Sequence, residues 1–278
     1  MNYIDRAKKF RAKKRLGQNF LIDPDVINTI IETAKITPED TVIEIGAGLG
    51  FVTEKLVKEA KKVIAIELDE DAIKELKKIE ADNLEIIHQD ILKTDLSKFG
   101  TNLKVVANIP YYITTPILAH LLGEIDDLNN KNRNTIEKII LMVQYEVARR
   151  IVATETSPDK EYGLLSILSQ FWAKTEIIKK INASSFMPRP KVDSAILKLT
   201  VRNTPLIELS DYKFFKRVSK ACFATRRKNI KNSLINGGFL KATVEKTLKD
   251  LDIKENLRGE VLSIQKISQI SEKMKENL

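Results

Sequence analysis

The sequence contains few of the side chains on which disulfide and metal chemistry depend. It has one cysteine, Cys222, and two histidines among 278 residues. A single cysteine excludes an intramolecular disulfide framework and fits a reducing compartment, so we expect a cytoplasmic protein. The shortage of cysteine and histidine also argues against a dedicated zinc site, and we expect no bound metal.

Long hydrophobic runs are missing as well. No apolar stretch approaches the roughly 18 residues that a membrane span needs, and we expect no membrane partner. Hydrophobic residues nevertheless make up 43% of the chain and charged residues 31%. That balance can bury a core and is not typical of a disordered chain. The length suffices for one large domain and a small one.

Acidic side chains are nearly absent from two short segments that are rich in Lys and Arg. Residues 1–15 carry seven Lys or Arg and one acid, and residues 212–231 carry eight and no acid. The net charge of +9 is therefore concentrated in these segments, which predicts a polyanion-binding surface. Both also contain aromatic residues, which favours RNA over a membrane surface. The alternative is that each run is only a solvated face. The predicted RNA contacts are Arg11, Lys13, Lys14, Arg15, Arg226, Arg227, Lys228 and Lys231.

Strand and helix signals alternate from residue 41 onwards. Short apolar runs separated by helical patterns predict an α/β fold with a mainly parallel sheet covered on both faces. Two alternating segments, 175–181 and 194–201, are expected to pair antiparallel at the sheet edge. After residue 201 the strand signals stop. We therefore expect three parts: a basic arm at 1–22, a sheet domain at 23–201 and a small all-α domain at 202–278.

A glycine-rich turn follows the first strand of this sheet, in the sequence E-I-G-A-G-L-G. Gly46 and Gly48 let the backbone turn sharply and let a ligand approach closely. The spacing is G-x-G-x-G, and Phe51 stands where a dinucleotide fingerprint needs its third glycine. This difference argues against a nicotinamide dinucleotide, which stays an alternative.

Two carboxylates end the next strands along the chain. Glu67 comes 21 residues after Gly46, where a carboxylate can accept both ribose hydroxyls. Asp90 ends the following strand, where it can accept a hydrogen bond from an adenine amino group. Together with the glycine turn they predict a pocket for an adenosine. Asp69 is a less favoured ribose ligand, and a helix N-cap is the alternative role for either predicted carboxylate.

Six motifs occur in a fixed order along the chain: G-Q-N-F-L, E-I-G-A-G-L-G, I-E-L-D, Q-D-I-L, N-I-P-Y-Y and F-M-P-R-P-K-V-D-S. In this order the sequence resembles the ribosomal RNA adenine N6-dimethyltransferases over essentially its whole length. The resemblance implies a Rossmann-like class I methyltransferase fold with S-adenosylmethionine (SAM) as cofactor. It also implies that the SAM pocket is lined by Asn19, Leu21, Gly46, Glu67, Asp90 and Asn108.

The motif N-I-P-Y resembles the family's target-base motif. An adenine amino group is a poor nucleophile because its lone pair is delocalised into the ring. The Asn108 side-chain oxygen and a backbone carbonyl at Ile109 or Pro110 could each accept one N–H and aim that lone pair. Pro110 would stiffen the turn that carries these acceptors.

Aromatic side chains are expected to hold the target base. Tyr111 would stack on a base extruded from the RNA. By the resemblance Phe186 closes the other face of the base, and core packing is the alternative role for its ring. Tyr112 is expected to pack.

The resemblance favours the housekeeping branch of the family over its antibiotic-resistance branch. The housekeeping enzymes dimethylate two adjacent adenosines near the 3′ end of small-subunit (16S) rRNA, with the small ribosomal subunit as partner. The glycine loop G-A-G-L-G and the stretches E-Y-G-L-L-S and T-R-R-K-N-I-K-N-S-L look like that branch. Two alternatives remain: a large-subunit enzyme and a non-catalytic RNA-binding assembly factor. We expect a monomer whose basic arm is mobile without RNA.

Overall fold

The computed structural model describes residues 2–278, which form two compact units. Unit 1 comprises residues up to 123 together with 129–148 and 174–201. Unit 2 comprises residues 124–128, 149–173 and 202–278. The predicted division at residue 202 is one border between the units. The structure differs in giving unit 2 two further segments that the sequence analysis assigned to the sheet domain.

Nine strands and eleven α-helices lie within the described residues. The strands are β1 (Phe20–Leu21), β2 (Thr41–Ile45), β3 (Lys62–Glu67), β4 (Leu84–His88), β5 (Leu103–Asn108), β6 (Ile136–Gln144), β7 (Ala173–Ile181), β8 (Phe186–Met187) and β9 (Ser194–Val201). The helices are α1 (Tyr3–Lys9), α2 (Pro24–Ala34), α3 (Thr53–Glu59), α4 (Glu70–Leu76), α5 (Thr114–Leu122), α6 (Tyr145–Val152), α7 (Leu164–Trp172), α8 (Tyr212–Phe223), α9 (Ile230–Asn236), α10 (Lys241–Asp250) and α11 (Ile264–Glu276).

Unit 1 is built on a seven-stranded sheet with the strand order β4-β3-β2-β5-β6-β9-β7. The five strands from β4 to β6 are parallel, and β9 is antiparallel to β6. The predicted edge strands are therefore confirmed in position, and the predicted class I methyltransferase fold is confirmed. Strand order reverses between β2 and β5, and ligands of open parallel sheets bind beyond the strand ends at such a point.

A separate two-stranded ribbon joins distant parts of unit 1. Strand β1 pairs antiparallel with β8, so that Phe20 lies opposite Met187 and Leu21 opposite Phe186. All four residues belong to or pack against the same buried cluster as helix α2. The ribbon therefore holds the segment that contains Asn19 against the body of unit 1.

Residues 2–22 of the basic arm pack against the rest of unit 1. The Tyr3 ring stacks on Phe51 with centroids 4.5 Å apart, and Ala7 is buried. Arg6 donates to the Leu49 carbonyl at 2.8 Å and forms an ion pair with Glu54. Composition pointed to a solvated arm, but the apolar face of α1 gives it a packing site.

Helices α7 to α11 belong to unit 2, which agrees with the helical pattern predicted after residue 202. Its centre is aromatic: Phe171 stacks on Phe215 with ring centroids 5.7 Å apart, and both side chains are fully buried. Because Phe171 belongs to α7, this contact explains why residues 149–173 join unit 2. Within residues 2–278, no helix has the length and apolar character that crossing a membrane requires.

A buried ion pair closes the amino-terminal end of the sheet in unit 1. Lys104 on β5 is 5% exposed, and its Nζ donates to the Lys35 carbonyl at 2.5 Å and to Asp40 Oδ2 at 2.7 Å. Burial raises the pKa of Asp40, but the hydrogen bonds from Lys104 and Thr37 outweigh it and hold that pKa below its usual value. The Asp40 carboxylate is thus ionised at neutral pH and bound by the Lys104 side chain.

Replacing Lys104 with methionine should therefore destabilise the fold. The substitution removes the Lys104 donor from the Asp40 carboxylate, which keeps only its bonds from Thr37, and from the Lys35 carbonyl. This loss costs roughly 1–3 kcal/mol. Denaturant unfolding measures the change. Lys62→Met is the matched control, because its ion pair with Glu85 is about half exposed and such pairs contribute less than about 1 kcal/mol. Equal losses in both variants would contradict this account of Lys104.

Candidate active site

A cavity of about 110 Å³ lies in unit 1 beyond the carboxyl ends of the parallel strands. The strand ends, the glycine turn and the end of the basic arm together form its wall. Eight of the predicted site residues line it: Asn19, Gly46, Gly48, Glu67, Asp90, Asn108, Pro110 and Tyr111. Residues that are far apart in the sequence are thus brought together in the way that the motifs predicted.

The glycine turn shows why its residues carry no side chain. Gly46 has φ of 72°, and a Cβ added there would stand 3.3 Å from the Asn108 carbonyl oxygen. Gly48 has φ of 54°, and its Cβ would meet the Phe20 ring at 3.2 Å. Both backbone conformations disfavour other residues. The turn therefore combines left-handed backbone with close packing and leaves the cavity floor as bare main chain.

The Glu67 carboxylate is held by three backbone N–H groups. Its Oε2 accepts from Gly48 at 2.7 Å, and its Oε1 accepts from Leu68 at 2.8 Å and from Asp69 at 2.9 Å. The side chain is 8% exposed and lines the cavity. An ionised carboxylate offers about four acceptor sites, so acceptor capacity remains for a ligand hydroxyl.

Asp69 connects the end of β3 to the basic arm. It caps α4 by accepting from the Asp71 N–H at 3.1 Å, and it forms an ion pair with Lys13 and a 2.6 Å hydrogen bond with the Gln18 amide. Burial raises the pKa of Asp69, but the bonds from Lys13 and Gln18 outweigh it and keep the carboxylate ionised. Asp69 does not line the cavity of about 110 Å³ described above, whereas Gln18 does.

Asn108 ends β5 with its amide held in one orientation. Its Nδ2 donates to the Asn19 backbone carbonyl at 3.2 Å, while the Asn19 amide donates to the Gly17 carbonyl at 3.1 Å. This places the amino group of Asn108 on the arm side and its carboxamide oxygen on the other. The Pro110 carbonyl accepts the Ile113 N–H at 3.1 Å within the turn that follows.

Asp90 lies at the cavity as predicted and also caps a short helical turn. Its Oδ1 accepts from the Leu92 N–H at 3.0 Å. The N-cap alternative is therefore present together with the position at the cavity, and one does not exclude the other. Leu68 and Ile91 line the same wall, and Leu68 is 51% exposed. Leu68 and Asp90 line the same cavity and can offer one apolar and one polar contact to a flat ring.

The two tyrosines of N-I-P-Y-Y have different environments. Tyr111 lines the cavity, and its hydroxyl lies 2.6 Å from Ser194 Oγ on β9. Burial raises the pKa of Tyr111, so its phenol stays neutral. Tyr112 was expected to pack but is 64% exposed, and it lies at the cavity beside Gly17. The exposed position of the Tyr112 ring at the rim was not predicted.

Two predicted residues lie elsewhere. Phe186 is 2% exposed, belongs to the buried cluster that supports β1 and β8, and does not line the cavity. Its ring therefore packs in the core in this structure and is not presented to a base, because the ribbon pairing turns it inward. Leu21 is also 2% exposed and lines a smaller adjoining cavity together with Gly46 and Gly48.

The sequence analysis overlooked Glu44, which also lines this smaller cavity. It is 3% exposed, and the Thr53 hydroxyl donates to its Oε2 at 2.5 Å. Burial raises the pKa of the Glu44 carboxyl to about 8. The acid stands within E-I-G-A-G-L-G, but alternation along β2 gave no sign that a charged side chain would be buried there.

The predicted RNA contacts fall into two groups. Lys13 binds Asp69 and Asp71, and Lys231 binds Glu245 and Glu255 at 2.5 and 2.9 Å. Their charges are neutralised within the protein, which weakens the prediction that Lys13 and Lys231 contact RNA. Exposed side chains form the other group: Arg11, Lys14, Arg15, Arg226, Arg227 and Lys228.

The cavity residues fit SAM. The Glu67 carboxylate beside the main chain of the glycine turn matches a ribose. The Asp90 carboxylate and the apolar side chains of the same cavity match an adenine ring. In the part of the chain that the structure describes, no group of three His, Cys, Asp or Glu side chains is arranged to hold a metal ion.

Comparison with known families gives one match that spans nearly the whole chain. The family model described as ribosomal RNA adenine dimethylase matches residues 9–276. A curated relative from Shouchella clausii, named ribosomal RNA small subunit methyltransferase A, is 42% identical over 98% of this chain and 92% of its own length. A protein of the same name from Bacillus licheniformis is 41% identical over 97% of this chain and 93% of its own.

Solved structures give the same fold. A dimethyladenosine transferase from Plasmodium falciparum superposes with a TM-score of 0.74 at 29% identity, covering 89% of this chain and 94% of that one. The 23S rRNA methyltransferase ErmE gives a TM-score of 0.69 at 26% identity, covering 92% of this chain and all of that one. Enzymes of this family use SAM as methyl donor, so the predicted cofactor is confirmed.

Replacing Glu67 with glutamine should weaken SAM binding. Glutamine keeps one acceptor oxygen and replaces the other with an amino group, which would face a backbone N–H. The Gly48 N–H of the glycine turn then loses its hydrogen-bond acceptor. Hydrogen bonds to charged groups contribute about 1.5–3 kcal/mol, which corresponds to a roughly 10- to 150-fold weaker affinity by calorimetry. Glu70→Gln is the control, since Glu70 is exposed on α4. Unchanged affinity in Glu67→Gln would remove Glu67 from the site.

Proposed function

We propose that this chain, which belongs to the ribosomal RNA adenine dimethylase family, transfers methyl groups to N6 of two adjacent adenosines near the 3′ end of small-subunit rRNA. The product would be N6,N6-dimethyladenosine, and the substrate a small ribosomal subunit. The observation that carries the proposal is the oriented Asn108 amide at the rim of a cavity that fits SAM. The relatives named for the small subunit favour that branch over the large-subunit one.

The residues that would hold the cofactor are those that line the cavity at the carboxyl ends of the parallel strands. Glu67 would accept the ribose hydroxyls, and Asp90 would accept the adenine amino group. The main chain at Gly46 and Gly48 would lie against the remainder. SAM supplies a methyl group that is electrophilic because it is bound to a sulfonium. The chain itself must therefore provide orientation and charge stabilisation, and needs no metal for this chemistry.

Asn108 and a neighbouring carbonyl would orient the target amine. The Asn108 carboxamide oxygen accepts one N–H of the adenine amino group. Because the Pro110 carbonyl already accepts from Ile113, the Ile109 carbonyl is the better second acceptor. Holding both N–H groups turns the nitrogen lone pair towards the methyl carbon and stabilises the positive charge that develops on nitrogen.

The methyl transfer does not need a general base from the protein. SAM held by Glu67 and Asp90 would supply the methyl group to the nitrogen, and the electron pair of the carbon–sulfur bond would leave with the sulfur. The amine then carries an extra proton, which is acidic and leaves to water. Two acceptor oxygens suffice to stabilise the charge until that loss. The second methylation would proceed with one N–H left for the two acceptors.

Tyr111 would hold the base by stacking. Its hydroxyl is tethered to Ser194, which fixes the ring at the cavity. Base–aromatic stacking contributes roughly 1–3 kcal/mol, which offsets the cost of unstacking the target adenosine. Tyr112, exposed at the same rim, is placed to contact a neighbouring nucleotide.

The direct test uses small ribosomal subunits from cells that lack this modification. Incubation with labelled SAM, nuclease digestion and nucleoside mass spectrometry should yield dimethyladenosine from the 3′ region of the small-subunit rRNA. Label in large-subunit rRNA alone would assign the chain to the other branch. Subunit binding without any methylation would favour an RNA-binding assembly factor.

Asn108→Ala should reduce methyl transfer far more than it affects folding. Loss of one preorganised charge-stabilising group typically lowers the rate by about 100- to 1000-fold. Single-turnover kinetics with saturating subunits measures this, and the melting temperature reports folding. The matched control is Asn134→Ala, which removes the same amide from an exposed position. Normal turnover in Asn108→Ala would refute the acceptor mechanism.

Salt dependence distinguishes free from neutralised basic residues. Replacing both Arg227 and Lys228 with glutamine should lower the slope of log affinity against log salt by roughly 0.7–0.9 for each phosphate that the variant no longer binds. Lys231→Gln should leave that slope unchanged, because Lys231 is already paired with Glu245 and Glu255. A drop for Lys231 equal to that of the double variant would contradict the assignment.

A further inference from the structure

Unit 2 contains a cavity of about 290 Å³ that the proposed chemistry does not use. Its wall comprises Arg150 on α6, residues 161–165 at the start of α7, residues 222–223 at the end of α8, residues 225–226 after it, and the pair Gly259 and Glu260. We call it the Tyr162 cavity. Two motifs meet there that the proposed function left unexplained: E-Y-G-L-L-S and the beginning of T-R-R-K.

Tyr162 is the central observation. Its side chain is 2% exposed, and its ring contacts Phe223 edge-on with centroids 5.6 Å apart. The buried hydroxyl has no hydrogen-bond partner among residues 2–278. An unpaired buried hydroxyl is costly, and proteins satisfy nearly all such groups. Tyr162 lines the cavity as a residue, so a ligand that enters beside the ring and displaces it slightly can satisfy this hydroxyl by accepting its hydrogen bond.

Arg226 stands at the same cavity with its guanidinium exposed. One Nη2 hydrogen bond to the Lys160 carbonyl, at 2.9 Å, holds the side chain in place. A guanidinium has five N–H donors, so most of its capacity remains for an anionic group. The adjoining Thr225 also lines the wall and adds a hydroxyl. This side of the cavity can bind a phosphate.

Two carboxylates, Glu161 and Glu260, also line the cavity, together with a second cation, Arg150. Glu260 is mostly buried, and its nearest cation is Arg258 at 3.8 Å, which is a long separation for an ion pair. Glu161 is paired more closely, at 2.9 Å from Arg149 Nε. A free phosphate would be repelled by Glu260, and a metal ion or organic cation would be repelled by Arg226. The wall therefore suits a ligand with an anionic part and a separate part that donates hydrogen bonds.

The remaining wall is fixed and unreactive. A Cβ on Gly259 would lie 2.4 Å from the Cys222 carbonyl oxygen, so main chain packs on main chain there. Burial raises the pKa of the Cys222 thiol to about 12, which leaves it neutral. Cys222 is therefore an apolar contact and no nucleophile. The side chains of Phe223, Leu164 and Leu165 extend this apolar lining.

We propose that the Tyr162 cavity binds one unstacked nucleotide of the substrate rRNA. Arg226 and Thr225 would contact its phosphate, Glu260 would accept from the base, and the Tyr162 hydroxyl would donate to a carbonyl or ring nitrogen. A nucleotide is the part of RNA that carries an anion, an apolar ring and hydrogen-bond donors together. The inference rests on the proposed function, because it assumes that the chain acts on RNA.

The first test compares folding with binding in Tyr162→Phe. If the hydroxyl serves the RNA, its removal leaves the melting temperature of the free protein unchanged or higher, since an unpaired buried group is lost. Affinity for unmodified small subunits should fall by about 5- to 10-fold, the usual contribution of one hydrogen bond. A lower melting temperature with unchanged affinity would show that the hydroxyl has a structural partner, and would overturn the proposal.

Arg226→Gln provides a second variant that does not depend on core packing. It should raise KM for subunits at unchanged kcat, because Arg226 is placed in substrate binding and not at the reacting atoms. Lys249→Gln is the control, since Lys249 is an exposed cation on α10 that is not among the predicted RNA contacts and does not line the cavity. Equal effects of the two substitutions would reduce Arg226 to a general surface charge and overturn its assigned role.

Ligand titration identifies the chemistry at the cavity. Adenosine, guanosine, cytidine and uridine 5′-monophosphates are titrated separately while the methyl resonances of Leu164 and Leu165 are followed. At least one nucleotide should give saturable shifts that Arg226→Gln weakens. The same shifts from inorganic phosphate, or none from any nucleotide up to about 10 mM, would contradict a base-binding cavity. Because this readout needs no methylation, it separates failure of the cavity from failure of the proposed reaction.

Discussion

The site in unit 1 depends on one carboxylate, Glu67, and on the three backbone N–H groups that it accepts. One of these donors belongs to Gly48, so Glu67 joins the end of β3 to the turn after β2. Another belongs to Asp69, whose own carboxylate binds Lys13 and Gln18 of the basic arm. A single chain of polar contacts therefore sets the positions of strand end, glycine turn and arm. The cavity is the space that these three parts leave between them.

This arrangement explains why the chemistry needs so few ionisable groups. SAM carries its own electrophile, and the target amine needs orientation more than deprotonation. In the proposed mechanism the chain would meet that need with neutral acceptors on a stiff turn. The hydrogen bond from Asn108 to the Asn19 carbonyl sets which end of the amide points away from the arm. The glycine turn, the arm and the N-I-P-Y motif are thus coupled through contacts that do not involve substrate.

Much of this could be predicted from the sequence because the determinants are local. Glycine spacing, strand-ending carboxylates and the order of the motifs placed eight residues at one cavity. Features set by long-range packing were missed. The burial of Phe186 depends on the pairing of β8 with β1, and the pairing of Lys231 depends on α10 and the loop after it. Residues 149–173 join unit 2 because Phe171 stacks on Phe215, which no local pattern indicates.

The most direct measurement of the central claim is a crystal structure of the protein with S-adenosylhomocysteine. The account predicts that Glu67 keeps its bond from the Gly48 N–H while its remaining acceptor sites take the ribose hydroxyls. The backbone at residues 46–50 should then move by no more than about 1 Å, as preorganised sites do. A carboxylate that swings away from Gly48, or a cofactor bound away from Glu67, would contradict it.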